Sequence, residues 1–338
     1  MLAESPTRQR TTMRAITQDR YGGPETLALD QVEVPKPGAG EVLVEVHAAG
    51  VDRGTWHLMR GTPYLIRLGF GLTEPKQRVL GFDVAGRVVA RGAEVSRFRV
   101  GDEVFGFARG SLAEFALASE EALSLKPAGV SFAEAGVVAV SGSTALQALT
   151  EHGQVQAGQE VLIVGASGGV GSHAVQLARA LGARVTGVAS GPKLERVRAL
   201  GASEVVDYKT EDFVSRGRRY DLVLDIGGRN SISRLRQVLT PAGTLVVVGG
   251  EGSDPWTGGL GRQLWALALS PFLAQSLQVM LSEEHSAWLD RLGDFMSRGD
   301  LVPKVGQRYA LEDAPAALED LEAGVGFAKS VIVVRGKV

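Results

Sequence analysis

The sequence predicts an α/β fold in which a small, mostly β unit precedes a doubly wound parallel sheet. Short β-like runs with glycine turns between them occupy the chain as far as residue 118. A glycine-rich turn at 165–171 separates an apolar run from a helical stretch. Strand-like and helix-like segments then alternate to about residue 248. Such alternation builds a parallel sheet with right-handed crossovers and helices on both faces.

Residues 1–12 read as a loose tail. Strands are expected at 13–17, 27–34 and 42–46, the second stopped by Pro35, Pro37 and Gly38. Short strands at 84–90, 103–107 and 115–118 complete a barrel-like β unit. Residues 50–71 break the pattern, with Asp52, Arg53, Trp56, His57, Arg60, Tyr64 and Arg67 in one polar-aromatic stretch. That stretch reads equally as a surface helix laced with ion pairs and as one wall of an active site. Pro127 and Gly129 mark a change of regime. The segment 131–153 is small, apolar and helical in period, and a hydroxyl inside it, such as Ser143 or Thr144, ordinarily bonds its own backbone.

The chain is organised around Val161-Leu162-Ile163-Val164 and the turn that follows it, Gly165-Ala166-Ser167-Gly168-Gly169-Val170-Gly171. This is strand, phosphate-binding loop and helix. The glycines permit a tight turn and close approach of a ligand to the backbone. The helix start offers unpaired N–H groups and partial positive charge to a pyrophosphate. Strands at 184–189, 204–206, 221–225 and 244–248 follow, with helices at 193–200 and 231–239. Ligands of such sheets lie at the carboxyl ends of the strands, which points to Gly165, Ser190, Asp225 and Gly249. A site for the ribose of NAD usually has an acid at the end of the second strand. Here that place reads Ser190-Gly-Pro-Lys193, which suits a 2′-phosphate and favours NADP. Beyond residue 282 come helices at 283–297 and 314–323. A strand at 331–334 is able to rejoin the first β unit, which would make that domain discontinuous.

Composition narrows the functions. With 338 residues the chain has room for two domains. A net charge of -2 gives no electrostatic footprint for nucleic acid or an anionic membrane. Cysteine is absent, which excludes disulfides, thiolate metal sites and cysteine nucleophiles. His47, His57, His152, His173 and His285 form no close metal-ligand pair, so no metal is expected. The polar N-terminus lacks a secretory pattern, and cytoplasmic residence is expected. Residues 263–282 carry no formal charge but are interrupted by Pro271, and are expected to be a buried helix followed by a strand rather than a membrane span.

These motifs together resemble the zinc-independent side of the medium-chain dehydrogenase/reductase superfamily, nearest its quinone oxidoreductases and NADPH-dependent enone reductases. The resemblance runs from about Met13 to Val334. It rests on Gly81-Phe-Asp-Val-Ala-Gly86, Gly101-Asp-Glu-Val-Phe-Gly106, the 165–171 loop, Leu200-Gly-Ala-Ser-Glu-Val-Val-Asp-Tyr208 and Asp225-Ile-Gly-Gly228. It implies a GroES-like catalytic domain (13–135 with 283–338) interrupted by a Rossmann cofactor domain (136–282). It implies that Thr144 sits near the nicotinamide, that Tyr208 joins Ser190 and Lys193 around the adenosine phosphate, and that Lys329 approaches the cofactor. Zinc-dependent relatives want a cysteine where Asp52 stands. The quinone reductases commonly read Val-Asn-Pro where this chain has Val51-Asp52-Arg53, and Phe327 and Ser330 replace a common histidine and glycine.

The reading is an NADPH-dependent reductase of a quinone or α,β-unsaturated carbonyl compound, with Tyr64 as candidate proton donor and Asp52 as organiser. The alternatives are a zinc-free alcohol dehydrogenase and a non-catalytic cofactor-binding regulator. A strand at 277–280, on the edge of the Rossmann sheet, is expected to pair two copies into a homodimer.

Overall fold

The computed structural model describes residues 11–249, 254–280 and 282–336. The expected tail at 1–12 falls almost wholly outside them. The strands are β1 (Thr12–Gln18), β2 (Leu27–Glu33), β3 (Glu41–Gly50), β4 (Asp83–Arg91), β5 (Glu103–Phe107), β6 (Phe115–Ser119), β7 (Leu123–Leu125), β8 (Glu160–Val164), β9 (Arg184–Ala189), β10 (Glu204–Asp207), β11 (Tyr220–Asp225), β12 (Leu239–Val247), β13 (Ser276–Val279), β14 (Val305–Ala310) and β15 (Lys329–Val333). The helices are α1 (Arg53–Arg60), α2 (Arg67–Phe70), α3 (Phe132–Ala135), α4 (Ala139–Gln147), α5 (Gly169–Ala180), α6 (Leu194–Ala199), α7 (Ile232–Arg236), α8 (Leu260–Leu269), α9 (Ser286–Ser297) and α10 (Ala314–Glu322).

Two main sheets result. The parallel sheet runs β10-β9-β8-β11-β12-β13, and its order reverses between β8 and β11, where a ligand crevice is expected. Its strands are apolar on both faces because both are covered. Val161 and Ile163 of β8 join Leu222, Leu224 and Val246 against α4, α5 and α9. Leu162 and Val164 point the other way, with Val223, Leu245 and Val247 against α7 and α8. The second sheet, β14-β15-β3-β4-β5-β7 with β6 paired to β3, encloses its own core of Val44, Val84, Val88, Val104 and Leu112. The strand near the end of the chain does return: β15 lies antiparallel to β3, with Val331 opposite Gly50 and Val333 opposite Ala48.

Three expected elements change. The helix of 283–297 begins at Ser286, because the His285 imidazole caps it by accepting from Ala287 N–H at 3.1 Å. β12 starts at Leu239 and absorbs Pro241–Gly243 as an irregularity in its pairing with β11. The helix expected in the uncharged stretch forms as α8, which also takes in Arg262, but is not buried as expected. Ala266 is buried and Leu269 packs beside it, whereas Leu264, Trp265 and Leu267 face outward. Among the described residues no helix is long and apolar enough to cross a membrane.

Candidate functional site

β8 ends at Val164 and the chain turns through Gly165, whose φ of +92° lies in the region that favours glycine. The N–H groups of Gly165 and Ala166 both donate to Val188 O, at 3.1 and 3.0 Å, which ties the turn to β9. A Cβ on Gly171 would collide with Gly165 O and lie 2.7 Å from Ala166 Cα, so α5 sits directly on the turn. Gly168 is different: a Cβ there would meet Gly165 O at 3.6 Å and nothing closer. The space above Gly168 is therefore open, and the first turn of α5, with Gly169, Val170 and Gly171, presents helix-start N–H groups beside it. Ser167 uses its carbonyl to accept from Ala328 N–H at 2.9 Å, and Gly168 bridges Ala328 in parallel.

The corner expected for the adenosine phosphate lies past β9. Ser190 precedes a single 3-10 turn of Gly191-Pro192-Lys193, and Lys193 N–H donates to Ser190 O at 2.8 Å. Lys193 Nζ donates to Gly324 O at 3.2 Å, and partial burial, then Lys209, lowers its pKa. Tyr208 is exposed and its N–H donates to Ala189 O at 3.2 Å, so Ser190, Lys193 and Tyr208 share one corner. The sequence reading missed Asp207. Its Oδ2 would stand 2.6 Å from a Cβ on Gly191, so a carboxylate does reach this corner, from the third strand rather than the second.

At the other end Asp225 is completely buried and paired with Arg262, whose guanidinium also donates to Gly228 O and Gly249 O, each at 3.3 Å. Gly249 N–H donates to Asp225 O at 3.1 Å, and a Cβ on Gly249 would strike Ile226 O. Arg262 thus gathers the ends of β11 and β12 into one fixed edge. Its signal in the sequence was its isolation, as the single charge between Asp254 and Glu283. Thr144 donates its hydroxyl to Val140 O at 2.7 Å, the local bond expected of a mid-helix hydroxyl.

Asp52 caps α1: its Oδ1 accepts from Thr55 N–H at 2.8 Å and the Thr55 hydroxyl at 3.2 Å. Its Oδ2 accepts from Lys329 Nζ at 3.0 Å. The same ammonium donates to Asp83 Oδ2, and Asp83 Oδ1 accepts from Val140 N–H at 2.9 Å, near the start of α4. Lys329 is 3% exposed, Asp52 8% and Asp83 0%. Gly50 makes room for this cluster, since a Cβ there would lie 2.6 Å from Lys329 Cε. Burial pushes Asp83 up to about 7, against the pull of Lys329 and with the push of Asp52. Burial also acts to raise Asp52, but Lys329 and the Thr55 N–H outweigh it and hold that carboxyl at about 2. Burial opposes the charge of Lys329, and the two aspartates restore and raise its pKa.

Tyr64 is not brought to Asp52's partners. Its ring meets Trp256 edge-on at 5.2 Å and lies under Arg67 at 4.7 Å. Tyr64 N–H donates to Pro255 O at 2.8 Å and Leu65 N–H to Trp256 O at 3.2 Å, which joins the β unit to the Rossmann unit. A cavity of ≈ 270 Å³ opens beside this seam, lined by His57, Pro63, Leu65, Ile66, Thr257 and Gln263 among others.

The chain matches the family model described as alcohol dehydrogenase GroES-like domain over residues 38–148 and the one described as zinc-binding dehydrogenase over 200–332. It is 32% identical to quinone oxidoreductase of Mus musculus over 95% of this chain and 98% of that one. The quinone oxidoreductase structure from Coxiella burnetii superposes with a TM-score of 0.81 at 28% identity, covering 96% of this chain and 100% of that one. A mycobacterial protein, Rv1454c, complexed with NADPH superposes with a TM-score of 0.80 at 28% identity, covering 95% and 100%. The glycine turn at the switch point, the returning strand β15 and these likenesses agree: the chain is an oxidoreductase of the medium-chain dehydrogenase/reductase family and resembles its quinone oxidoreductases.

Proposed function

We propose that the protein is a cytoplasmic, zinc-independent reductase that uses NADPH to reduce a quinone or an α,β-unsaturated carbonyl compound. The observation that carries the reading is the open cradle over Gly168 at the switch point, one residue pair away from the strand that carries Lys329. When bound, NADPH supplies a hydride. The 165–171 loop, from Gly165 and Ala166 through Gly171, holds its pyrophosphate. Ser190, Lys193 and Tyr208 hold the 2′-phosphate, with Lys193 offsetting the charge of Asp207. Thr144, Asp225 and Gly249 bound the nicotinamide end, and Arg262 keeps the last two in place. Asp52 organises the reacting end, and Tyr64 with Trp256 walls the substrate and orients its carbonyl oxygen.

A zinc ion does not fit this donor set. There are no thiolates in the sequence, and the free oxygens of Asp52 and Asp83 are taken up by the Lys329 ammonium. Among the described residues no group of three or more His, Asp or Glu side chains is arranged to hold a metal.

A panel of quinones, enones, aldehydes and simple alcohols with NADPH and NADH tests the reading. Turnover of quinones or enones with NADPH supports it. Turnover confined to alcohols and aldehydes identifies an alcohol dehydrogenase, and tight cofactor binding with no turnover identifies a regulator. Lys193→Ala should weaken NADPH by about 10- to 150-fold, the loss of one charge-assisted bond of about 1.5–3 kcal/mol, and leave NADH nearly unchanged. Equal losses for both cofactors in a fluorescence titration would remove Lys193 from the phosphate site.

We further propose that the chain works as a homodimer through β13, which lies at the edge of the parallel sheet. The outward residues Leu264, Trp265 and Leu267 of α8, and Phe272 beyond it at 85% exposure, flank that edge and need cover. Light scattering should give about twice the 35.6 kDa chain mass. Val279→Lys should shift it toward one chain, and a wild-type protein of single-chain mass at micromolar concentration would refute the dimer.

A further inference from the structure

Three charges meet around Lys329 and one of them is positive. Lys329 Nζ lies 3.0 Å from Asp52 Oδ2 and closer still to Asp83 Oδ2, and the outer oxygens of both aspartates are already satisfied by Thr55 and Val140. With both carboxyls ionised the cluster carries one net negative charge in a place where Asp83 has no contact with water. From the loop before α9, the exposed residue Glu284 sets a further carboxyl toward Asp52, and its own pKa is raised by partial desolvation of the carboxyl and by Asp52. From α5, His173 faces Lys329, but burial lowers its pKa to about 4 and it is neutral at ordinary pH. One proton on the aspartate pair brings the cluster to zero charge, with Asp52 and Asp83 sharing the Lys329 ammonium.

We propose that the Asp83–Lys329–Asp52 cluster stores the proton that the reduced substrate takes up, and that Asp52 passes it across. This rests on the reductase reading. Hydride addition from NADPH leaves a negative charge on the carbonyl oxygen of the quinone or enone. The Asp52 O–H bond breaks as a new O–H bond forms on that oxygen, the Asp83 O–H bond breaks to supply that Asp52 proton, and the Asp83 carboxylate left behind stays paired with Lys329. A proton from water then restores the cluster. Asp52 is the exit because it is the more exposed of the two carboxyls, at 8% against 0% for Asp83. Asp83 and Lys329 act through it, as positioning residues. The buried acid titrates toward neutral rather than in the ordinary carboxyl range, so the store is loaded where a surface aspartate would be empty.

Two measurements test this together. The first is an infrared titration of the apoprotein across about pH 5 to 9, which reads protonated carboxyls without cofactor or turnover. Wild type should show one carboxyl that loses its proton toward neutral pH, and Asp83→Asn, which keeps the shape and an acceptor for Val140 N–H, should lack it. The second is the pH profile of quinone or enone reduction. Wild-type kcat should fall by about tenfold per pH unit above that ionisation, as for a single required acid, while Asp83→Asn should be slower and flat over the same range. Should Asp83→Asn fail to fold, the wild-type infrared titration and rate profile must still share one ionisation. Reduction with no titrating carboxyl, or an unchanged profile in Asp83→Asn, overturns the proton store. A titrating carboxyl in a protein that reduces neither class overturns the reductase reading and the delivery step with it.

Discussion

Replacing Lys329 with Met is expected to lower stability at pH 7 by about 3–5 kcal/mol, the usual consequence of removing one partner from a buried ion pair. Methionine fills nearly the same volume, so little of the loss comes from packing. What remains is two carboxyls held within the reach of one vanished ammonium, Asp83 wholly buried and Asp52 nearly so. The penalty should shrink as the pH falls and both carboxyls take up protons. In wild type the two aspartates pull in opposite directions. Asp83 is raised from 3.8, so its contribution is full below that value and is lost as the pH rises toward about 7. Asp52 is lowered from 3.8, so its contribution is present above that value and is lost as the pH falls toward about 2. Urea unfolding of wild type and Lys329→Met at pH 7 and pH 4.5 checks this. A loss under about 1 kcal/mol at pH 7, or one that grows on acidification, would show that the ammonium is not the partner of these carboxylates.

Gly168→Val should leave the fold intact and weaken NADPH binding by more than about 100-fold, through the loss of two or more charge-assisted contacts of about 1.5–3 kcal/mol each. The backbone at Gly168 is extended enough for any residue, and the valine side chain would stand in the open space that the pyrophosphate needs. The neighbouring glycines are different controls. At Gly171 a side chain would strike the turn itself, so Gly171→Val should fail to fold. At Gly169 it would meet Ser141 Oγ at 3.0 Å and Lys329 Cβ at 3.3 Å, and so disturb the charged cluster before it disturbs a ligand. Circular dichroism with fluorescence titration separates the three. A folded Gly168→Val with wild-type affinity would take the loop out of the cofactor site.

What the sequence disclosed was local. The turn from Gly165 to Gly171 is legible because strand, glycines and helix are consecutive, and the same holds for the short strands of the β unit. The partners of charged residues were not legible. Asp52 stands beside Arg53 in the sequence, yet its oxygens go to Thr55, three residues on, and to Lys329, 277 residues away. Asp83 sat inside a recognisable motif without a role, although a lone acid opening an apolar strand is itself a signal. Asp207 was overlooked because the third strand, not the second, delivers it to Gly191. Periodicity reports which face is wet or dry, and it is silent on which two buried charges will meet.

The pairing of β15 with β3 also sets an order of assembly. Every contact inside the parallel sheet joins strands between Glu160 and Val279, so that unit has all its parts before β15 leaves the ribosome. The β unit does not: β4 and β6 pair with β3 early, but its Ala48–Gly50 edge must wait for a partner made long after it, and non-local pairing of this kind is slow to form. Until then Asp52 and Asp83 lack their ammonium, and a carboxylate is far better solvated in water than in an apolar core. The nascent chain should therefore carry a finished nucleotide-binding unit beside an unclosed barrel, and the arrival of Lys329 is the step that seals it. Truncation before Lys329 is the natural way to populate that intermediate, whose unclosed sheet edge is open to pairing with another strand.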